Sequence, residues 1–413
     1  MLLIGGAVLS HIIGTASVLS FIALGRDRFL AAAPQRILAN IDLFSLMSMP
    51  LFILAGEIMN RAGVRQALLD LASAMMARLR GGLGHVNVLT SVFFAGISGS
   101  AVADAASVSN TLVPAMRKSG YPIAYACAIT AASSVIGPII PPSITLIFYG
   151  ALMQTSVTAL FIAGIVPGLL MALVLFALNA YMARRYDHPR GESVPFRVFL
   201  RRVWVAAPAM LIPAIIMGGI VFGIMTPTEA AAVAVLCAIL AGVIYRQMSF
   251  RVIYDSLYRT AVMSGSIFIL LAAVAIFGYL AGIEQLPRAI SGVIENLGLD
   301  GWRYLLLLNI IFLVFGTFLD VPVALFVPLL VPPAIEMGVD PIHMGIVILV
   351  NLMLGIVTPP LGAALLVVST VTKVNYWTIA RAVLPFLAVQ IALLMVLTFV
   401  PALSTALPRA FGY

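Results

Sequence analysis

Charge is scarce in this chain: only 9% of its 413 residues are Asp, Glu, Lys or Arg, while 62% are hydrophobic. A soluble chain of this length would form two or three domains, but a mean hydropathy of +1.14 leaves too little polar surface to clothe them. The solvent is therefore a lipid bilayer. Lysine is nearly missing, two residues against 21 arginines, and the net charge of +8 sits mainly in short breaks between apolar runs. Anionic headgroups and the inward bias of basic loops account for that charge, so no nucleic-acid partner is implied. The two cysteines, Cys127 and Cys237, lie inside apolar stretches away from any Cys/His pattern. They indicate neither zinc nor a disulfide framework and read as packing residues. His11, His85, His188 and His343 are scattered and form no ligand set. A GxxxxGK[ST] loop is absent, so ATP is not bound in that way and any pumping must draw on an ion gradient or a partner. The first apolar stretch, residues 2–24, runs to Arg26-Asp27-Arg28 without a small-residue cleavage site, so it is expected to span rather than to be removed.

Crossing the hydrocarbon core takes roughly 20 apolar residues in an α-helix. Such runs predict spanning helices at residues 2–24, 44–59, 122–147, 150–183, 203–223, 227–245, 259–282, 343–369 and 375–400. Two further stretches, 86–117 and 303–339, are too long for one span and are broken in the middle by small or polar residues; each is expected to be a re-entrant hairpin. With hairpins there, Arg78, Arg80, Arg117, Lys118, the block from Arg184 to Arg202, the block from Arg246 to Arg259, Lys373 and Arg381 share one side. The break at 150–157 and the acidic one with Glu336 and Asp340 fall on the other. Arg26, Arg28 and Arg36 run against this pattern, falling outside.

A repeat underlies the hydropathy. One shift of 218 residues superposes Leu112-Val113-Pro114 on Leu330-Val331-Pro332, and Gly137, Pro141 and Pro142 on Gly355, Pro359 and Pro360. The charge pattern has the first hairpin entering from the cytoplasm and the second from outside, the inverted-repeat plan of many secondary transporters. The expected fold is thus an all-α polytopic membrane protein with inverted-topology repeats, each holding a re-entrant hairpin and a broken helix. Residues 1–43 form an N-terminal scaffold region, 44–183 the first repeat, 184–258 a connecting loop with two helices, and 259–413 the second repeat. Thr226-Pro227-Thr228-Glu229 reads as a capping box with proline near the helix start, which makes Glu229 a cap rather than a transport residue.

Broken helices survive in lipid only where protein surrounds them or they line a watery cavity, so the breaks are the site candidates. The first hairpin turns within Gly96-Ile97-Ser98-Gly99-Ser100 and continues through Asp104 to Asn110; its partner helix breaks at Gly137-Pro138-Ile139-Ile140-Pro141-Pro142-Ser143. In the second half the turn is Gly316-Thr317-Phe318-Leu319-Asp320 and the break is Gly355-Ile356-Val357-Thr358-Pro359-Pro360. Proline removes a backbone donor and glycine permits unusual angles, which frees carbonyls. Carbonyls with Ser or Thr hydroxyls form an oxygen cage suited to a hard cation such as sodium, and facing half-helix N-termini attract an anion at the same place. Small residues for close helix packing are the plainer account of any single Gly or Ser, but four breaks in register across a repeat weigh against it. Asp104 and Asp320 are the acidic residues nearest the membrane interior; ion-site support or hairpin bracing is favoured over a proton relay.

These residues closely resemble the large membrane subunit of the tripartite ATP-independent periplasmic (TRAP) transporters. The resemblance rests on Pro50-Leu51-Phe52-Ile53-Leu54-Ala55-Gly56-Glu57, on residues 94–104 around Gly96-Ile97-Ser98-Gly99-Ser100, on Gly137 to Ser143 and on Thr226 to Ala232, and it covers nearly the whole chain. It implies sodium-driven uptake of a small organic acid, a dicarboxylate, sialic acid or related carboxylate, across a bacterial inner membrane. The implied mechanism is an elevator, in which a transport domain holding both hairpins carries substrate and sodium past a fixed scaffold. Two partners are implied: a small four-helix membrane subunit and a periplasmic substrate-binding protein. By similarity one sodium site would use Ser98, Gly137, Ile140 and Pro142, and a second would lie around Gly316, Thr317, Gly355 and Thr358. Ser100, Asn110 and Ser143 are the expected substrate contacts between the hairpin tips. A stand-alone sodium- or proton-coupled carrier is the first alternative. A membrane-embedded enzyme is the remote one, disfavoured by scattered histidines and sparse carboxylates.

Overall fold

The computed structural model describes residues 9–96, 99–191, 194–317 and 322–413. Among them there is no β-strand, only an isolated bridge between Arg80 and Arg190. The helices before the midpoint are α1 (Leu9–Ala23), α2 (Ala33–Ile41), α3 (Ser48–Arg61), α4 (Val64–Met76), α5 (Gly82–Phe94), α6 (Ala101–Lys118), α7 (Ile123–Ser134), the single turn α8 (Ile136–Ile139), α9 (Ile144–Met153) and α10 (Val157–Arg185). Then come α11 (Phe196–Val221), α12 (Pro227–Ile244), α13 (Phe250–Ile283), α14 (Leu286–Asn296), α15 (Gly301–Gly316), α16 (Pro322–Glu336), α17 (Pro341–Gly355), α18 (Ala363–Thr372), α19 (Tyr376–Phe399) and α20 (Ala402–Ala410).

Many of these helices start where a short polar side chain takes up a free N–H group. Ser100, Ser143, Ser156, Ser249 and Asn375 cap α6, α9, α10, α13 and α19, the arrangement that an open helix start demands. At α12 the full capping box forms: Glu229 donates its N–H to the Thr226 hydroxyl at 3.3 Å, and its carboxylate accepts the Thr226 N–H at 2.8 Å. Among the described residues five helices are long and apolar enough to cross a bilayer alone, and three bent pairs form broken spans or re-entrant loops. One of these, residues 123–139 with 144–153, bends by 46°.

Both expected hairpins are present as helix pairs, α5–α6 and α15–α16. The boundary expected between 147 and 150 is corrected. The chain breaks at the prolines, continues as α9 to Met153, and turns at residues 154–156, where Gln154 is left-handed and Ser156 starts α10. Hydropathy stays high through α9, so only the polar letters Gln154-Thr155-Ser156 mark the turn.

Packing between the halves is reciprocal. α18 packs on α6 and α7, and its repeat equivalent α9 packs on α16 and α17; α7 meets α19 as α17 meets α10. Such exchange is what a two-fold relation between repeats requires. The axis inverts the halves. The start of α7 meets the end of α18, where Cys127 Sγ lies 3.6 Å from Thr372 Oγ1. The end of α9 meets the start of α17, where the Tyr149 hydroxyl donates to the Pro341 carbonyl at 2.8 Å. The two broken spans are therefore antiparallel, and the hairpins leading into them open at opposite ends. Lys118, Arg117 and Lys373 gather at one end and Glu336 and Asp340 at the other.

Arg26 and Arg36 do sit at the end opposite this basic face. Arg26 pairs with Glu284 at 3.0 Å and Arg36 stacks over the Tyr279 ring at 4.9 Å from its centroid. Their charge is thus partly offset by local partners.

Each hairpin's first leg is stapled to its broken helix by a buried polar network. In the first half Asn87 donates to Thr130 at 2.6 Å and accepts from Ser133 at 2.9 Å. In the second Asn351, at the repeat position of Ser133, donates to Asn309 at 2.7 Å, which donates to Thr398 at 2.9 Å. Interhelical bonds of this kind in a membrane contribute about 0.6–2 kcal/mol each.

The inverted arrangement predicts opposite labelling. In a C127A/C237A background, Ser119→Cys should react with an impermeant maleimide from one face of the membrane and Thr155→Cys and Glu336→Cys from the other; all three reacting from one face would refute it.

Candidate functional site

The tip of the first hairpin and its broken helix are built to touch. Gly96 and Gly99 carry φ values of +80° and +58°, a region that side chains other than glycine seldom enter. A Cβ at Gly96 would lie 2.9 Å from Pro142 Cδ and 3.2 Å from the Pro141 carbonyl oxygen. At the break, Pro141 and Pro142 lack N–H groups, so the carbonyls of Gly137 and Pro138 lose their ordinary helical donors. Ile140 is extended, with φ −77° and ψ 127°. The far side of the break is sealed by α10: a Cβ at Gly164 would meet the Ile139 carbonyl oxygen at 2.7 Å, and one at Gly168 would meet Ile140 Cγ1 at 2.3 Å. Two glycines four residues apart let a long helix lie directly on irregular backbone.

Gly137 and Gly355 hold equivalent positions, and neither has room for a side chain. A Cβ on Gly137 would lie 2.6 Å from Asp104 Oδ2; one on Gly355 would lie 2.5 Å from the carbonyl carbon of Gly316 and 2.6 Å from its Cα. In the second half hairpin and break therefore meet backbone to backbone. Thr317 and Thr358 turn their hydroxyls onto the carbonyls of Val314 and Leu354, each at 2.7 Å. Both Pro–Pro bonds, Pro141–Pro142 and Pro359–Pro360, are cis. Ser98 and Asp320 lie outside the described residues. Among the described residues no three His, Cys, Asp or Glu side chains cluster as metal ligands, so a cation at these breaks would be held by carbonyl and hydroxyl oxygens.

Between the two breaks lies a cavity of about 210 Å3, lined by Gly99, Ser100, Ala101, Val102, Pro138, Ile144, Thr145, Phe148, Met353 and Ile356, with Met49, Ile267 and Leu270 closing it from α3 and α13. Of the three expected substrate contacts, Ser100 lines this space. Ser143 is fully buried, capping α9 with its hydroxyl 3.4 Å from the Leu146 N–H. Asn110 faces a different, wider cavity toward the base of the hairpin, about 15 Å along α6 from Ser100 at 1.5 Å per residue. Thr145, one turn past the Pro–Pro break, is a wall residue that the sequence reading missed.

Asp104 is fully buried and pairs with Arg65 of α4 at 2.9 Å. The Arg65 guanidinium also lies over the Phe94 ring, 4.8 Å from its centroid. One cation therefore grips both legs of the hairpin on either side of its turn, at the last residue of α5 and in the first turn of α6. A negative charge in that first turn also suits the helix dipole.

Inverted repeats, paired hairpins and a cavity between two broken helices define a multi-pass membrane carrier. The chain matches the family model described as the tripartite ATP-independent periplasmic transporter, DctM component, over residues 1–403. It is 36% identical over 399 residues to the sialic acid TRAP transporter large permease protein SiaM of Vibrio cholerae, covering 96% of this chain and 93% of that protein. It is 38% identical over 372 residues to the C4-dicarboxylate TRAP transporter large permease protein DctM of Pseudomonas aeruginosa, covering 89% and 87%. In fold it is similar to the crystal structure of the Alcanivorax borkumensis YdaH transporter, with a TM-score of 0.65 at 15% identity over 93% of this chain and 90% of that one. The chain belongs to the TRAP transporter family, as a large permease subunit and not an enzyme.

Removing the cation from a buried carboxylate is costly, so Arg65→Gln should destabilise the protein by up to about 3 kcal/mol, read as a fall in thermal unfolding temperature in detergent. Asp104→Asn added to it should restore most of that loss, because the pair is then neutral on both sides. Additive destabilisation by the two changes would show that they do not interact.

Proposed function

We propose that this chain is the translocating subunit of a sodium-driven importer of a small organic carboxylate in a bacterial inner membrane, working by an elevator motion. The carboxylate class rests on the substrates for which the relatives are named, sialic acid and C4-dicarboxylates. The observation that carries the reading is the half-open cavity at Ser100 and Thr145, lined by one hairpin tip, both broken helices and two outer helices. Sodium would be held by the Gly137, Ile140 and Pro142 carbonyls with Ser98, and around Gly316, Thr317, Gly355 and Thr358. Substrate would meet Ser100 and Thr145, with Asp104 bracing the hairpin through Arg65.

Four cavities support the sliding motion, because each is bounded on one side by α2, α3, α12 or α13 and on the other by the hairpins and broken helices. Protein interiors otherwise pack with few voids, so this seam is where the two groups of helices can shear. The outer group, α1–α3 and α11–α13, would be the scaffold, with α4 and α14 linking it to the hairpins. Its apolar outward faces, including Trp204, Leu236 and Leu240, offer lipid or the small membrane subunit a surface. TRAP large permeases work with such a subunit and a substrate-binding protein.

Reconstituted with both partners, the chain should accumulate one labelled organic acid from a panel only when sodium is higher outside. Uptake without the binding protein would point to a stand-alone carrier. Ser98→Ala removes one oxygen ligand worth about 1 kcal/mol, so the half-saturating sodium concentration should rise roughly five- to ten-fold. An unchanged sodium curve would exclude Ser98 from the ion site.

A further inference from the structure

A wider cavity than the one between the breaks lies elsewhere. It measures about 930 Å3 and opens at the arginine-rich end, between Glu57, Asn60, Arg61, Arg65 and Arg259 on one wall and Ala103, Ser107, Asn110, Thr111, Thr370 and Lys373 on the other. Four of its lining residues are cations and one is an anion. Two of the cations are locally balanced: Arg61 by Glu57 at 3.6 Å and Asp255 at 3.2 Å, and Arg65 by Asp104 at 2.9 Å. Arg259 and Lys373 are exposed to the cavity, and among the described residues neither has a carboxylate within ion-pair distance.

The two unbalanced charges stand on opposite walls. Arg259 belongs to α13, whose first three turns also carry Arg251, Tyr254, Asp255 and Tyr258 and so lie at the membrane surface. Lys373 ends α18, the second piece of the second broken helix, held in the left-handed conformation with φ +59°. Asn110 of α6 lines the same cavity with an amide that can donate, whereas the Thr111 hydroxyl donates to the Ser107 carbonyl at 3.2 Å. Low-dielectric walls of this kind focus the field of like charges and concentrate the opposite ion.

We propose that this vestibule is a second anion station, in which a small carboxylate rests between Arg259 and Lys373 after leaving the cavity at the hairpin tip. The proposal builds on the transport reading for its occupant. The station itself is a property of the wall charges and is measured without turnover. Because its two cations belong to the two groups of helices that flank the seam, a sliding motion would separate them, and the station would exist in full only when the vestibule is open.

Ser107→Cys in a C127A/C237A background, in phosphatidylcholine nanodiscs, places a thiol on the vestibule wall. Its reaction with an anionic methanethiosulfonate should be favoured over a cationic one, relative to a free small thiol, and R259Q/K373Q should cut that preference about ten-fold at low salt. Millimolar succinate, the probe anion, should slow modification of the unaltered vestibule and not of the R259Q/K373Q variant, while R259K/K373R keeps both behaviours and controls for folding. Equal rates with and without the two cations would overturn the station, as would succinate protection that survives R259Q/K373Q. Loss of the anion preference when phosphatidylglycerol is added would show a lipid phosphate as the occupant and overturn the carboxylate assignment. Failure of sodium-driven uptake with an intact anion preference would instead count against the transport reading alone.

Discussion

A bilayer offers no water to a broken backbone, and the rest of this structure follows from how that constraint is met. Two helices stop in mid-membrane at Pro141–Pro142 and Pro359–Pro360, leaving carbonyls without their helical donors. Each break therefore has to be enclosed by protein on nearly every side. α10 closes one face of the first break through Gly164 and Gly168, and the hairpin tip closes another through Gly96. At the second break the backbones of Gly316 and Gly355 meet directly. The hairpins exist, in physical terms, because something short, polar and irregular must reach the bilayer midplane beside each break. What enclosure leaves open is the small cavity at Ser100 and Thr145, a mostly apolar space with two hydroxyl-bearing residues in its wall.

That enclosure works because the surrounding helices are fixed to one another. The Asn87–Thr130–Ser133 network in one half and the Asn309–Asn351–Thr398 network in the other tie each hairpin's first leg to its broken helix. Gln390 of α19 adds a tie across the halves, donating to the Ala132 carbonyl at 2.9 Å. In hydrocarbon a polar side chain has few alternatives to its protein partner, so such bonds specify register even where each adds little energy.

Much of this was legible in the letters, and the reasons are specific. Proline pairs, glycine-rich turns and the 218-residue shift are local chemistry, and they located both hairpins and both breaks. Charge asymmetry gave the inversion, because basic residues partition by loop and need no tertiary contact to do so. α4 and α14 went unseen because they are amphipathic: Val64, Ala67, Leu68, Leu71 and Ala72 form a buried stripe at helical spacing, but Arg65 and Asp70 dilute it below what a hydropathy run detects. The Arg65–Asp104 pair was hidden for another reason, since its partners are 39 residues apart and lie on separate helices. Thr145 was within reach: a half-helix that restarts after Pro–Pro directs its first turn at the break, so hydroxyls there belong on any list of wall residues. Asn110 was placed at the tip by proximity in sequence, but ten residues of α-helix carry it well away from the turn.

In the proposed sliding motion, the contacts across the seam have to join two groups of helices and still let them move. Ion pairs such as Arg61–Asp255 and Arg26–Glu284 lie within the outer group, and the buried networks lie within the inner one. The polar ties that join the groups run from the two short helices α4 and α14: Arg65 to Asp104, and Ser291 to Glu336 at 3.4 Å. Both helices follow a left-handed residue, Gly63 or Gln285, so each is set off from the long helix before it by a sharp turn. α4 packs on α5 and α14 packs on α16, one hairpin apiece. If the inner group moves, these two helices must either travel with their hairpin and bend at the preceding turn, or release their polar tie to it. Arg65 is buried against both hairpin legs, so release would strand a buried carboxylate, and bending is the cheaper course. The left-handed turns at Gly63 and Gln285 are thus where the backbone would absorb the motion, and the hairpin grip is what would transmit it to the cavity.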